Sequence, residues 1–376
     1  MKVELLVSRY KREIGLARYA ASLQKYLSKA GVDYSLVEPA YPWPLRAADT
    51  LARPLGYDVK EFFNTYPVSA PLTHGALKHF TNQMMSMLFS FQSDLKPVIV
   101  TVHDIVPYLV RDDPEQNVYR HFYDRLIDSM AMHNLARADC LIAISAYTKK
   151  MLVERLGCSD EKIQVVLLGV DHEIFKPVPV TDAFRRRYRL DPQYRYLLYV
   201  GSENPRKNLA SLVRALVKVK ARIPNIRLLK LGTPEYLEHF QRLKKQIHDL
   251  DLEDELVFID SVPLEDLVMF YSLADVFLFP SLNEGFGLPP LEAMACAAPV
   301  LCSNAASLPE VVGDAAVMLD ALDVPGWADA ICEMLGNQTL RQDLQAKGLR
   351  RAGQFTWEKT ARETMAVYAQ FGQVQG

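Results

Sequence analysis

Strand-length apolar runs alternate with amphipathic stretches along the 376-residue chain, and this predicts an α/β protein made of two doubly wound parallel sheets. Three observations support that reading. The alternation runs from Val3 to Leu167, a polar and basic segment from Pro177 to Asp191 interrupts it, and it restarts at Tyr196-Leu197-Leu198-Tyr199-Val200. The length suits two domains of ordinary size, which we set at residues 1–176 and 177–355.

Bulk properties exclude several classes. With 49% apolar and 23% charged residues the composition is globular, and a net charge of -2 gives no reason to expect a nucleic-acid partner. No apolar run reaches the length of about eighteen residues that a membrane-spanning helix needs. The opening Met1-Lys2-Val3-Glu4-Leu5-Leu6-Val7 meets charge too early for a signal peptide and reads as a first buried strand, so a cytoplasmic protein is expected. Cys140, Cys158, Cys296, Cys302 and Cys332 form neither a paired framework nor a C-x-x-C spacing and read as reduced, structural thiols. No H-E-x-x-H string occurs, and Asp249-Leu250-Asp251 sits in a polar segment where a helix should end, so no metal or other cofactor is expected.

In the first domain, Val3–Ser8 reads as a strand and Ile14–Lys29 as a helix with Leu16, Ala20, Leu23 and Leu27 on its inner stripe. Seven lysines and arginines against two glutamates between Lys2 and Lys29 give a local excess of +5. Arg18, Lys25 and Lys29 fall opposite the stripe, a pattern that suits a solvated face, an anionic membrane surface or a phosphorylated acceptor. Residues 41–75, rich in proline and aromatics, predict long loops, and Met84 to Phe91 a packed apolar helix. Pro97–Val102 is a buried strand that delivers His103-Asp104 to its carboxyl end, where ligands of open α/β sheets gather. A neutral imidazole there can donate to or accept from a sugar hydroxyl, while Asp104 either orients it or caps the next turn. A long helix over 117–138, a strand over 140–144, a helix over 147–156 and a strand over 163–167 complete the domain.

In the second domain, Gly201 ends the first strand, and Arg206 and Lys207 follow beside the start of a helix at Leu209, where cations and backbone amides together can hold a diphosphate. The charges of the connecting segment 177–191, including Arg185-Arg186-Arg187, read as solvated. Strands are expected over 226–231 and 256–259. Asp275–Phe279 then enters the turn Ser281–Leu288, and Pro289 opens the next helix, with Glu292 in its first turn. Gly285 and Gly287 let a ligand approach the main chain closely, and Glu284 and Glu292 can accept hydrogen bonds from hydroxyls. The stretch asks for a ligand with phosphates and two sugars. A strand at Pro299–Cys302, a short helix from Ser307 and a last helix from Thr356, with Trp357, Ala361, Met365 and Tyr368 on one face, end the chain.

Glu284 and Glu292, seven residues apart around Gly-Phe-Gly-Leu-Pro, resemble the E-x7-E signature of retaining glycosyltransferases of family 4, also called group 1. The resemblance extends to Arg206-Lys207 after a glycine turn, to the string His103-Asp104-Ile105-Val106-Pro107, and to Gly15 with Arg18-Tyr19, although Ile14 stands where a second glycine is usual. It implies the GT-B fold, in which two Rossmann-like domains face a cleft and the last helix, 356–376, crosses back to the first. It implies transfer of a hexosyl unit, with retention, from a nucleotide-diphosphate sugar such as GDP-mannose or UDP-glucose to a hydroxyl of a glycan, lipid-linked or small-molecule acceptor. By the same resemblance Arg206 and Lys207 hold the phosphates, Glu284 and His103 face the sugar, and Glu292 holds the ribose. Backbone at Gly15, Gly201, Gly285, Phe286, Gly287 and Leu288 lines the donor, and the main chain at Val262 meets the base. A GT-B epimerase and a non-catalytic nucleotide-sugar-binding subunit are the alternatives.

Overall fold

The computed structural model describes residues 2–8, 15–40, 59–119, 122–234 and 236–372. The chain divides into two compact units. One runs up to Gly169 and takes back the segment from Trp357 onward, and the other is Val170–Thr356. Val170 makes a parallel bridge to Thr356, so the chain enters the second unit ahead of the basic segment.

The first unit holds a parallel sheet of six strands: β1 (Val3–Leu6), β2 (Tyr34–Val37), β3 (Leu77–Phe80), β4 (Val98–Val102), β5 (Cys140–Ala143) and β6 (Ile163–Val165), in the order β2-β1-β3-β4-β5-β6. β4 and β5 are buried along their whole length and, Thr101 apart, apolar, as suits central parallel strands. β3 was not expected, because half of it is polar. Its Lys78 donates to the Ala76 carbonyl at 2.9 Å and lies beside Glu4 in register, while its His79 joins a buried hydrogen-bonded chain. Helix Gly15–Lys29 buries Tyr19, Leu23 and Leu27, and a 3-10 helix, Gln83–Ser90, buries Met85, Met87, Leu88 and Phe89. The expected loops over 41–75 include a helix, Val59–Thr65, and residues 41–58 lie outside the described residues.

The last helix, Trp357–Ala369, packs on helix Gly15–Lys29 of the same unit. Its buried face includes Thr360, Thr364 and Tyr368, one turn apart, where an apolar stripe through Met365 was expected. The two threonines are buried because their hydroxyls have partners: Thr360 donates to the Leu167 carbonyl at 2.7 Å and Thr364 to the Thr360 carbonyl at 2.8 Å. Tyr19 hydrogen-bonds Thr364 and lies 2.9 Å from Thr101 Oγ1. Thr101 Oγ1 is 2.7 Å from His79 Nε2, and His79 Nδ1 is 2.6 Å from the Tyr368 hydroxyl. One direction of donation satisfies every group: Tyr368 to His79, His79 to Thr101, Thr101 to Tyr19 and Tyr19 to Thr364.

The second unit repeats the architecture with β7 (Arg195–Val200), β8 (Ile226–Leu231), β9 (Leu256–Ile259), β10 (Val276–Phe279), β11 (Val300–Ser303) and β12 (Ala316–Leu319), ordered β12-β11-β10-β7-β8-β9 and all parallel. The strand order reverses between β7 and β10, and the carboxyl ends of these strands flank the crevice where open α/β sheets bind ligands. Within the basic segment, Asp182–Arg187 is helical and Arg187 is not simply solvated. Its guanidinium meets the buried Asp266 at 2.8 Å, and Tyr188 donates to the same oxygen at 2.7 Å, because a sealed carboxylate needs compensation.

Replacing Tyr368 by Phe leaves a buried imidazole nitrogen without its donor and should cost about 1–3 kcal/mol in urea denaturation. Burial, with His103 nearby, pulls the His79 pKa from 6.5 down to about 3. Between those values the unfolded chain binds a proton that the native chain does not, so this contribution is full above about pH 6.5 and is lost as the pH falls. From about pH 6.5 to about pH 5 it amounts to about 2 kcal/mol. His79→Gln, although less stable throughout, should show a correspondingly flatter dependence of denaturation midpoint on pH.

Candidate active site

The loop after β7 brings two cations to the switch point. Asn204 accepts from the Arg206 amide at 3.1 Å and starts a 3-10 turn, Pro205–Lys207, whose proline suits a first helical position. Asn208 ends the turn in the left-handed region at φ 55° and donates to the carbonyls of Pro280 and Ala321 at 3.1 and 2.7 Å. The Leu282 amide donates to the Arg206 carbonyl at 2.7 Å, which ties this loop to the one after β10. Gly201 ends β7 against the Tyr199 ring, whose hydroxyl bonds the Ser202 carbonyl at 3.0 Å.

The loop after β10 supplies the carboxylate. Glu284 receives Arg206 Nη1 at 3.1 Å and Lys207 Nζ at 2.7 Å, and Arg206 also donates to the Asn283 carbonyl at 2.9 Å. The Glu284 side chain is 9% exposed, that of Lys207 14% and that of Arg206 20%. Burial pushes the Glu284 carboxyl up, but Lys207 and Arg206 together outweigh it and hold it below the usual carboxylate range. Lys207 Nζ also stands 5.0 Å from the centroid of the Phe279 ring. Two cations thus meet at the end of a parallel sheet, a feature that suits an anionic ligand.

The turn itself is held from behind. Ser307 Oγ bonds the carbonyls of Glu284 and Phe286 at 2.9 and 2.7 Å, and Ser303 bonds that of Ser281. Gly287 adopts φ 122°, a backbone conformation that requires glycine, and a Cβ there would come within 2.8 Å of the terminal methyl Leu308 Cδ2. The helix begins at Leu288, which places Glu292 in the second turn, not the first as expected. Glu292 is buried and accepts from Tyr271 at 3.0 Å. Pro289 and Pro290 carry no N–H, so donors for an anion must come from the Gly285–Leu288 turn more than from the helix proper. Val262 is half-buried in the loop after β9.

In the first unit, β4 delivers the buried His103, as its strand predicts. His103 Nε2 lies 3.0 Å from the Thr81 carbonyl, which can only accept, so Nε2 carries the hydrogen and Nδ1 is the acceptor. Burial pulls its pKa down to about 4, against the Thr81 bond and Asp104. The Tyr19 ring meets the imidazole edge-on at 4.9 Å, and Gln83 accepts from the His103 amide at 3.1 Å. Asp104 accepts from the Val106 amide at 3.2 Å, an Asx turn that leads into the helix whose cap position is Ile105. Gly15 is exposed at the first position of its helix; residues 9–14 of its loop lie outside the described residues. Lys25 and Lys29 are exposed on that helix, each with its ammonium over the Tyr26 ring.

Asp249 and Asp251 pair with Lys245 and Lys220, and no group of three or more metal-ligating side chains occurs among the described residues. No described helix is long and apolar enough to cross a membrane. Sequence reasoning missed Tyr271 and Ser307 behind the two glutamates, which left no local signal. It also missed Glu203 and Lys230, which form a buried ion pair; a lysine inside an apolar strand was the available clue.

Residues 180–351 match the family model described as glycosyl transferases group 1, and residues 14–174 match the model described as glycosyltransferase family 4. The O-antigen chain mannosyltransferase B of Escherichia coli is 30% identical over 279 residues, covering 73% of this chain and 70% of that one. The serotype-specific mannosyltransferase WbdA of Escherichia coli is 30% identical over 301 residues, 76% of this chain, which spans 35% of WbdA's length. Among solved structures, Anabaena HepE in complex with UDP and glucose shares the fold at a TM-score of 0.73 and 17% identity, with 98% of this chain and 99% of that one covered. With two parallel six-stranded units and both family models in sequence, the chain belongs to the family 4, or group 1, glycosyltransferases of GT-B fold.

Proposed function

We propose that this glycosyltransferase moves a hexosyl unit from a nucleotide-diphosphate sugar to an acceptor hydroxyl with retention of anomeric configuration. The observation that carries the reading is the triad of Arg206, Lys207 and Glu284 at the switch point of the second sheet. Arg206 and Lys207 bind the diphosphate and stabilise the charge that grows on it as the bond from the sugar C1 to phosphate oxygen breaks. In the second unit the turn Gly285–Leu288 and Gly201 approach the donor through backbone, Val262 meets the base, Glu292 the ribose and Glu284 the sugar; Gly15 and His103 are the first unit's own candidates for donor contact. The acceptor oxygen forms the new bond on the face that the phosphate leaves, and its proton passes to a phosphate oxygen. The positive charge at the diphosphate comes from side chains, so turnover needs no divalent metal.

The names of the relatives point to mannose, and the HepE complex contains UDP and glucose; GDP-mannose and UDP-glucose are therefore the donors to test. The acceptor is a glycan, lipid-linked or small-molecule hydroxyl. The protein acts in the cytoplasm, with the exposed Lys25 and Lys29 available for peripheral contact with an anionic membrane face.

Titration of both donors, with a parallel assay of hydrolysis and transfer, tests the reading. Glu292→Ala removes a hydrogen bond to a charged acceptor worth about 1.5–3 kcal/mol, so donor affinity should fall about ten- to a hundred-fold. Unchanged affinity would remove the ribose assignment. EDTA should leave turnover intact, and restoration by magnesium after its loss would refute the metal-free route. Isomerised donor without transfer would indicate an epimerase, and binding without any turnover a non-catalytic subunit.

A further inference from the structure

The loop that carries Arg206 and Lys207 is anchored by a charge pair that none of the roles above uses. Lys230, the penultimate residue of β8, has a side chain 1% exposed, and Glu203, in the loop after β7, one 2% exposed; the two form an ion pair. Lys230 Nζ also donates to the Gly232 carbonyl at 2.6 Å. A Cβ at Gly232 would come within 2.8 Å of the Gly201 carbonyl oxygen, so the ends of β7 and β8 close on each other with no space for a side chain between them. Among the described residues neither Glu203 oxygen accepts a hydrogen bond, which leaves the ion pair with Lys230 to locate the carboxylate.

Burying both charges incurs a desolvation cost that two apolar side chains would not, so stability alone is a poor reason for the pair. Its placement supplies a better one. We propose that Glu203 and Lys230 are positioning residues for the cations that bind the donor diphosphate, an inference that rests on the donor reading above. The segment Glu203–Asn208 is held at three points by three different strands or their loops. Lys230 of β8 fixes Glu203, the Leu282 amide after β10 fixes the Arg206 carbonyl at 2.7 Å, and the carbonyls of Pro280 and Ala321 fix Asn208. Arg206 and Lys207 lie between the outer anchors, so their ammonium and guanidinium groups stand in place before a ligand arrives. Releasing Glu203 frees the leading end of the turn, and the cations must then be ordered at the expense of binding.

The test uses the full-length protein with UDP and GDP as probes in isothermal titration. The double variant Glu203→Leu/Lys230→Met removes both charges together and should melt within a few degrees of the wild type. It should nevertheless bind the diphosphate about tenfold more weakly, and in a Lys207→Ala background that loss should shrink to less than about twofold, because the lock then has less to position. Wild-type affinity in the double variant would overturn the inference, as would an undiminished loss in the Lys207→Ala background. If the apolar pair does not yield folded protein, Glu203→Gln decides in the same titration per folded molecule: weakened binding supports the lock and unchanged binding refutes it. Failure of the wild type to bind either nucleotide would instead sink the donor reading, and this inference with it; wild-type affinity in the Glu203 and Lys230 variants, with Lys207→Ala binding more weakly, sinks this inference alone.

Discussion

A carboxylate sealed from water must be neutralised where it stands, and Glu284 meets that constraint with two cations from a different loop. Much of the second unit follows from this. The cations have to arrive from β7 and the carboxylate from β10, so the loops after these strands must be neighbours. They are neighbours because the strand order reverses between them. The parallel sheet thus does more than bury apolar surface: it aims two loops, far apart in sequence, at one point beyond its carboxyl edge. Ser303, Ser307 and Asn208 then bind loop carbonyls that would otherwise lack donors. The backbone of these loops is thereby held by side chains bonded to it.

The first unit solves a related problem with neutral groups. Its strands bury histidines and threonines, and burial in each case favours the uncharged imidazole. His103 gives its hydrogen to the Thr81 carbonyl and keeps a lone pair on Nδ1, so its hydrogen-bonding character is set before any ligand binds. Near His103 the first unit works with polarity where the second works with charge, although β1 and β3 also bury Glu4 beside Lys78.

What the chain reveals in one dimension depends on whether a residue's neighbours in sequence are also its reasons. The β10 strand, its glycine turn and the proline-bearing helix were legible because apolar strand, glycine and proline each act locally. Arg206 and Lys207 were legible beside a helix start, but their bond to Glu284 was not, since seventy-odd residues separate them. β3 was hidden because Lys78 and His79 look like surface residues: Lys78 is buried with its ammonium on the nearby Ala76 carbonyl and Glu4 beside it in register, and His79 with the distant Thr101 and Tyr368 as partners. The helix was expected to start one residue later, at Pro289, because two prolines obscure where helical geometry begins, and this one residue carries Glu292 from the first turn into the second. Arg187 looked like one more solvated charge, and nothing near it in sequence announces Asp266.

The last helix belongs to the unit formed first, and this has a consequence for how the chain is made. The polar chain from Tyr368 through His79 to Tyr19 cannot close until residues at the far end have been synthesised. At about 5–20 residues per second, the segment between Gly169 and Trp357 occupies the ribosome for about 10–40 s. Through that interval the first unit exists with Tyr19, Leu23 and Leu27 beside an uncovered face, and with buried polar groups still short of partners. The second unit, whose ends at Val170 and Thr356 pair with each other, has all its residues only as that interval closes, still ahead of the returning helix. In the order of assembly the amino-terminal half of the molecule is therefore finished last.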